Sequence, residues 1–122
     1  MNHDEFVGQV QHLAHLPSRG DAETIIRATF ETLGERLQSH AAAHVAAQLP
    51  VELGRHLRGR AFEHLSLHAF YGRVAERERS DVEKAAFHAR CVLDALCGAV
   101  SPGTVEKIRR QLPQEFQAML EA

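Results

Sequence analysis

The sequence predicts an all-α fold: two tandem four-helix units, approximately residues 2–59 and 66–122, packed with pseudo-twofold symmetry into one domain. Three observations carry that prediction. Gln48-Leu49-Pro50 recurs as Gln111-Leu112-Pro113, and the same shift of 63 positions lays Ala22 on Ala85, Arg27 on Arg90, Leu33 on Leu96, Glu52 on Glu115 and Leu57 on Leu120. Apolar residues recur at helical spacing through most of the chain, and no run sustains the period-two alternation of a half-buried strand. Capping residues and prolines stand where those apolar stripes begin. A chain of 122 residues buries roughly two-thirds of its unfolded surface and needs neither disulfide nor metal to fold.

The first helix opens at Asn2, with Asp4 and Glu5 near its positive end and Phe6, Val10 and Leu13 on one face. Gly8 lies inside it, and with one residue of slack Phe6-Val7-Gly8-Gln9-Val10 falls on Phe70-Tyr71-Gly72-Arg73-Val74. Each glycine costs about 1 kcal/mol in a helix relative to alanine, so both predict close helix–helix approach. Ser18 caps the second helix, with Asp21 in its first turn. Its stripe is Ala22, Ile26, Phe30, Leu33 and Leu37, with Glu23, Arg27, Glu31, Glu35 and Arg36 placed mostly on the other side. Ser39 is expected to cap a short third helix carrying Ala42, Val45, Ala46 and Leu49. Pro50 disfavours helical geometry at Leu49 and suits the first position of a fourth helix, with Gly59 as its stop.

Residues 60–65 are too short and too apolar for a flexible tether, so the two units share a core. The second unit then replays the first. Ser66 caps a helix with Leu67, Phe70 and Val74, and Ser80 caps the long helix striped by Ala85, Ala89, Val92, Leu93, Leu96 and Val100. Ser101 and Pro102 open a third helix, and Pro113 opens the last, with Phe116, Met119 and Leu120 inward.

Composition excludes several classes. A formal charge of −2 with neutral histidine opposes general binding to nucleic acid or to an anionic membrane. No stretch approaches the length of a membrane span. The polar, acidic start, Met1 to Glu5, is unlike a signal peptide. Only two cysteines, Cys91 and Cys97, are present, which points to a reducing compartment. The expectation is a cytoplasmic protein.

The opening Asn2-His3-Asp4-Glu5-Phe6, the run Leu16-Pro17-Ser18, the stretch Glu31-Thr32-Leu33-Gly34-Glu35-Arg36-Leu37 and both Gln-Leu-Pro motifs together resemble the bacterial family called domain of unknown function 2267, over nearly the whole chain. That resemblance implies an all-helical cytosolic bacterial protein and brings no catalytic residues to carry over. One departure is the loop before the third helix, glycine-rich in similar proteins and Ser39-His40 here.

Nine histidines are the compositional oddity. His40 and His44 are spaced i, i+4 on one helix, the spacing that zinc uses. His64 and His68 share the spacing, but a helix start at Ser66 falls between them. No third ligand is marked, so no metal site is expected, and solvated histidine is the favoured reading. Cys91 and Cys97 point to different faces of one helix, which argues against a disulfide. His88 stands three residues before Cys91, where it would lower the thiol's pKa if both were exposed. Arg55, Arg58 and Arg60 form one basic cluster and Lys107, Arg109 and Arg110 another, without the aromatic interleaving of a nucleic-acid surface. No Gly-x-Ser-x-Gly and no phosphate-cradling glycine loop occurs.

These readings predict a non-enzymatic helical interaction or regulatory module with no catalytic residues and no cofactor, a protein partner, and room for a homodimer. A small metal-binding protein and a weak nucleic-acid binder are the alternatives.

Overall fold

The computed structural model describes residues 1–120. Among these residues eight α-helices follow one another: α1 His3–Leu13, α2 Arg19–Arg36, α3 Ser39–Ala46, α4 Val51–Gly54, α5 Leu67–Glu78, α6 Val82–Ala99, α7 Pro102–Gln111 and α8 Gln117–Leu120. A 3-10 turn, Gln114–Phe116, leads into α8. Among the described residues there is no strand, and no helix is long and apolar enough to cross a membrane.

The two 18-residue helices α2 and α6 touch along the centre, and α1 and α5 each pack against both. The predicted stripes are the reason. Ala22, Ile26, Phe30, Leu33 and Leu37 are all buried, as are Ala85, Ala89, Val92, Leu93, Leu96 and Val100. Phe6 lies 5.8 Å from Phe30 and Phe70 lies 5.7 Å from Phe116, ring centre to ring centre, and all four are fully enclosed. The shorter α3 and α7 pack on one another, and α8 packs on α6.

Several helix starts are those the sequence predicts. Asn2, Ser18, Ser66 and Ser101 each accept a backbone N–H of the first turn. Two caps differ. Asp81, not Ser80, caps α6, because Ser80 Oγ donates instead to Glu78 Oε2. Ser39 is the first residue inside α3; the cap position is Gln38, which offers no side-chain bond. The fourth helix stops at Gly54 rather than Gly59, and Pro50 is its cap rather than its first residue. Leu57 is still buried, in turns that run on to Gly59, whose φ of 73° favours glycine.

The glycine prediction is also corrected. A Cβ at Gly8 or Gly72 would meet nothing within 4 Å. Close approach occurs at Gly34 instead, where a Cβ would lie 2.5 Å from the Leu57 carbonyl oxygen, and at Gly54, 2.7 Å from that of Ala46. Gly34 therefore lets the turn after α4 lie against α2, and Gly54 lets α4 fold back on α3.

Residues 60–65 have no regular secondary structure and are tied to α2. The Glu63 N–H donates to the Glu35 carbonyl at 2.7 Å, and Arg36 Nε donates to the Leu65 carbonyl at 2.8 Å. Arg36 is itself buried, its guanidinium 5.7 Å from the Phe62 ring centre and 5.4 Å from that of Phe116. Placing Arg36 and Glu35 on the polar side of α2 is thus overturned. The linker and α5 cover the C-terminal half of that side, where Glu35 and Arg36 face protein, while Glu23 and Arg27 stay exposed.

Candidate functional site

Three groupings of polar side chains stand out, and only one of them lines open space. The first is an ion-pair network between α2, the linker and α5. Glu35 Oε2 accepts from Arg77 at 2.6 Å and from Arg60 at 3.2 Å, and Glu35 Oε1 accepts from Arg73 at 3.1 Å and Arg77 at 2.8 Å. Glu31 pairs with Arg60 at 2.9 Å and with Arg27 at 3.1 Å, and Glu63 pairs with Arg73. Burial pushes the Glu35 carboxyl up, but the hydrogen bonds from Arg77, Arg73 and Arg60 outweigh it and hold the group below the usual carboxylate range. Both Glu35 carboxylate oxygens are occupied by guanidinium groups, so this carboxylate is a clamp and not an available base.

The second grouping is Glu78, His88 and Ser80. The Glu78 carboxylate is almost fully enclosed; its Oε2 bonds His88 Nδ1 at 2.6 Å and Ser80 Oγ at 2.7 Å. Serine and histidine both engage the carboxylate, rather than serine engaging the far ring nitrogen, so the order of a hydrolytic triad is not met. His88 is thereby turned to Glu78. Cys91 is buried, and burial pushes its thiol up, with the Arg90 charge acting against it. The proposed activation of Cys91 by His88 therefore has no basis in the fold. Cys97 is half-buried and likewise raised by burial, and both thiols are free.

The third grouping is a cleft of about 250 Å³ between α3 and α7, lined by His40, Ala41, His44, Lys107, Arg110 and Gln111. The i, i+4 pair predicted from spacing does share this face. Its neighbours across the cleft are two cations, which oppose a metal ion. His64 lies elsewhere, on the linker, edge-on to Phe62 with ring centres 4.7 Å apart, and His68 is exposed on α5. Among the described residues no three histidine, cysteine or carboxylate side chains are grouped as metal ligands.

Hydrogen bonds fix α3 against α7. The Gln38 N–H donates to Gln111 Oε1 at 3.0 Å, and the Ser101 N–H donates to Gln48 Oε1 at 2.8 Å. Thr104, buried on α7, meets His44 Nε2 at 3.2 Å, Ser101 Oγ at 2.9 Å and the Gln48 amide. Beside this junction, α3 and α4 enclose a groove of about 210 Å³ lined by Ala46, Ala47, Leu49, Val51, Gly54, Arg55 and Arg58. Val51 stands 82% exposed at its edge.

Sequence reasoning missed the network and the Glu78–His88 pair. A signal for the network exists: Glu31 and Glu35 on one helix and Arg73 and Arg77 on another have the same i, i+4 spacing. No such pattern marks Glu78 and His88, which belong to different helices.

A family model described as uncharacterized conserved protein (DUF2267) matches residues 3–119. No curated protein matches the chain.

Proposed function

The chain belongs to the DUF2267 family, and from that premise we propose that it is a non-enzymatic helical interaction module made of two copies of one four-helix unit about a pseudo-twofold axis. Element starts support the duplication. Helices α2 and α6 begin at Arg19 and Val82, and α3 and α7 at Ser39 and Pro102, each 63 positions apart. The two non-glycine residues with left-handed backbone, His15 and Arg79, also correspond, at the 64-residue offset of the first helix. The bonds from Gln38 to Gln111 and from Ser101 to Gln48 exchange under the same shift, which is the behaviour of a contact across a twofold.

The observation that carries the interaction role is Val51. A β-branched apolar side chain standing 82% exposed on the edge of an apolar groove, with Arg55 and Arg58 on the rim and no carboxylate in the lining, suits an acidic amphipathic helix. Its apolar face would cover Val51 and Leu49 while its carboxylates meet the two guanidinium groups. The two free thiols suit a reducing compartment, the bacterial cytoplasm.

A synthetic acidic amphipathic helix tests the reading. In an NMR titration, shifts should concentrate at Ala47, Leu49, Val51 and Arg55, weaken with salt, and vanish in Val51→Glu. Shifts scattered over the surface, or unchanged by Val51→Glu, would overturn it.

A further inference from the structure

We propose that the cleft between α3 and α7 is an oxyanion site that takes a small soluble phosphorylated ligand, its phosphate held between His40, His44, Lys107 and Arg110. The charge is the first argument. The chain as a whole is formally −2, yet this cleft has two permanent cations, two imidazoles and no carboxylate in its lining. The spacing is the second. His40 and His44 are one turn apart on α3, and Lys107 and Arg110 are one turn apart on α7, so each pair shares a helix face. The two helices pack together, which sets the pairs on opposite walls.

The walls are also held in place before any ligand arrives. Gln38 to Gln111 and Ser101 to Gln48 tie α3 to α7 at two points. The His44 ring is anchored through Nε2 to buried Thr104, which leaves Nδ1 as the ring nitrogen free to meet a ligand. Preorganised donors lose less entropy on binding than free side chains do. The first turn of α3 adds to the field. It has no side-chain cap and no acidic residue, so its positive end is not neutralised locally.

The charged groups facing the cleft are His40 and His44 from α3 and Lys107 and Arg110 from α7. One carboxylate competes nearby: Glu106 approaches Arg110 Nε at 3.9 Å, with both side chains more than half exposed. An exposed i, i+4 pair of that kind is weak, so a dianion displaces it readily. Size sets the class. The cleft holds about 250 Å³, several times the ~30 Å³ share of one water, enough for a phosphate with a small organic remainder. It is a single pocket rather than a track of cations, which favours a small ligand over a nucleic acid.

Inorganic pyrophosphate is the probe. Calorimetric titration at about pH 6, where free imidazole is largely protonated, should show one site with Kd below about 1 mM. Lys107→Gln and Arg110→Gln should each weaken binding about tenfold or more, as loss of a charged hydrogen bond does. Arg79→Gln, which removes an exposed cation outside the cleft, should leave it unchanged. All three positions are exposed, and matching thermal melts will show that the variants fold. No saturation, or equal losses in all three variants, overturns the site. Sedimentation with anionic phospholipid vesicles in the absence of a pyrophosphate isotherm also overturns it, in favour of a lipid headgroup.

Discussion

Gly34 and Gly8 are both helical, and their environments predict opposite signs for one substitution. At Gly34 an added Cβ would sit 2.5 Å from a backbone oxygen of Leu57, which cannot rotate away as a side chain can. Gly34→Ala should cost about 1–3 kcal/mol, the usual range for overpacking. At Gly8 nothing lies within 4 Å, so Gly8→Ala should stabilise by about 0.5–1 kcal/mol through helix propensity. Urea melts of the two variants give both values directly. A stabilised Gly34→Ala would mean that the turn after α4 moves freely against α2.

Between elements, the deciding interaction is the grip of α5 on α2 through Glu35. Glu35 is the shared acceptor of Arg60, Arg73 and Arg77, which keep only Glu31 and Glu63 as carboxylate partners when it is truncated, so Glu35→Ala should cost about 1.5–3 kcal/mol near neutral pH. The pH dependence has a definite sign. Because the Glu35 carboxyl is held below its ordinary range when folded, its contribution is complete above the ordinary carboxylate range and is lost as pH falls through the lowered value. The stability gap between wild type and Glu35→Ala should therefore close in acid; a gap constant from pH 7 to pH 2 would refute the assignment. At this same scale the sequence was only partly legible. The stripes of α2 and α6 were plain because each buries one continuous face. Glu35 and Arg36 were misplaced because an irregular linker, which has no periodicity to read, covers the C-terminal half of the face opposite that stripe. Helix ends at His15 and Arg79 lack the glycine that normally marks a left-handed stop. The cleft was half legible: His40 and His44 by spacing, Lys107 and Arg110 only as a basic cluster, since sequence does not say that α3 meets α7.

The whole molecule has a charge poised on its histidines. Protonating all nine would carry the formal charge from −2 to +7. Six of them, His12, His15, His40, His44, His64 and His68, are exposed, and His3, His56 and His88 are half-buried. Exposed groups change net charge with little effect on stability. Electrophoretic mobility should therefore reverse between about pH 7.5 and pH 5.5, with helical circular dichroism retained. His56 departs from this. Burial, then the Arg55 charge, holds its imidazole below the usual range against the pull of Glu31. Its neutral form is favoured in the fold, so the stability it contributes is present above the ordinary histidine range and is lost on further acidification. Removing it, as His56→Gln, should flatten the mild-acid slope of the melting temperature. Loss of helicity across the same window would show that more histidines are buried neutral than the structure places there.

The crossed glutamines have a consequence for motion. The Gln38 and Ser101 amides lie at exposed residues, where hydrogen exchange with solvent would ordinarily be fast. Gln38 is bonded to a side chain rooted 73 residues away and Ser101 to one rooted 53 residues away, so each can exchange only when that distant glutamine lets go. The two amides are therefore reporters planted in one half of the chain that read the seating of the other. In Gln48→Ala the Ser101 amide should exchange faster while that of Gln38 keeps its protection, and Gln111→Ala should do the converse. If either change releases both amides together, α3 and α7 part as one rigid latch and not bond by bond.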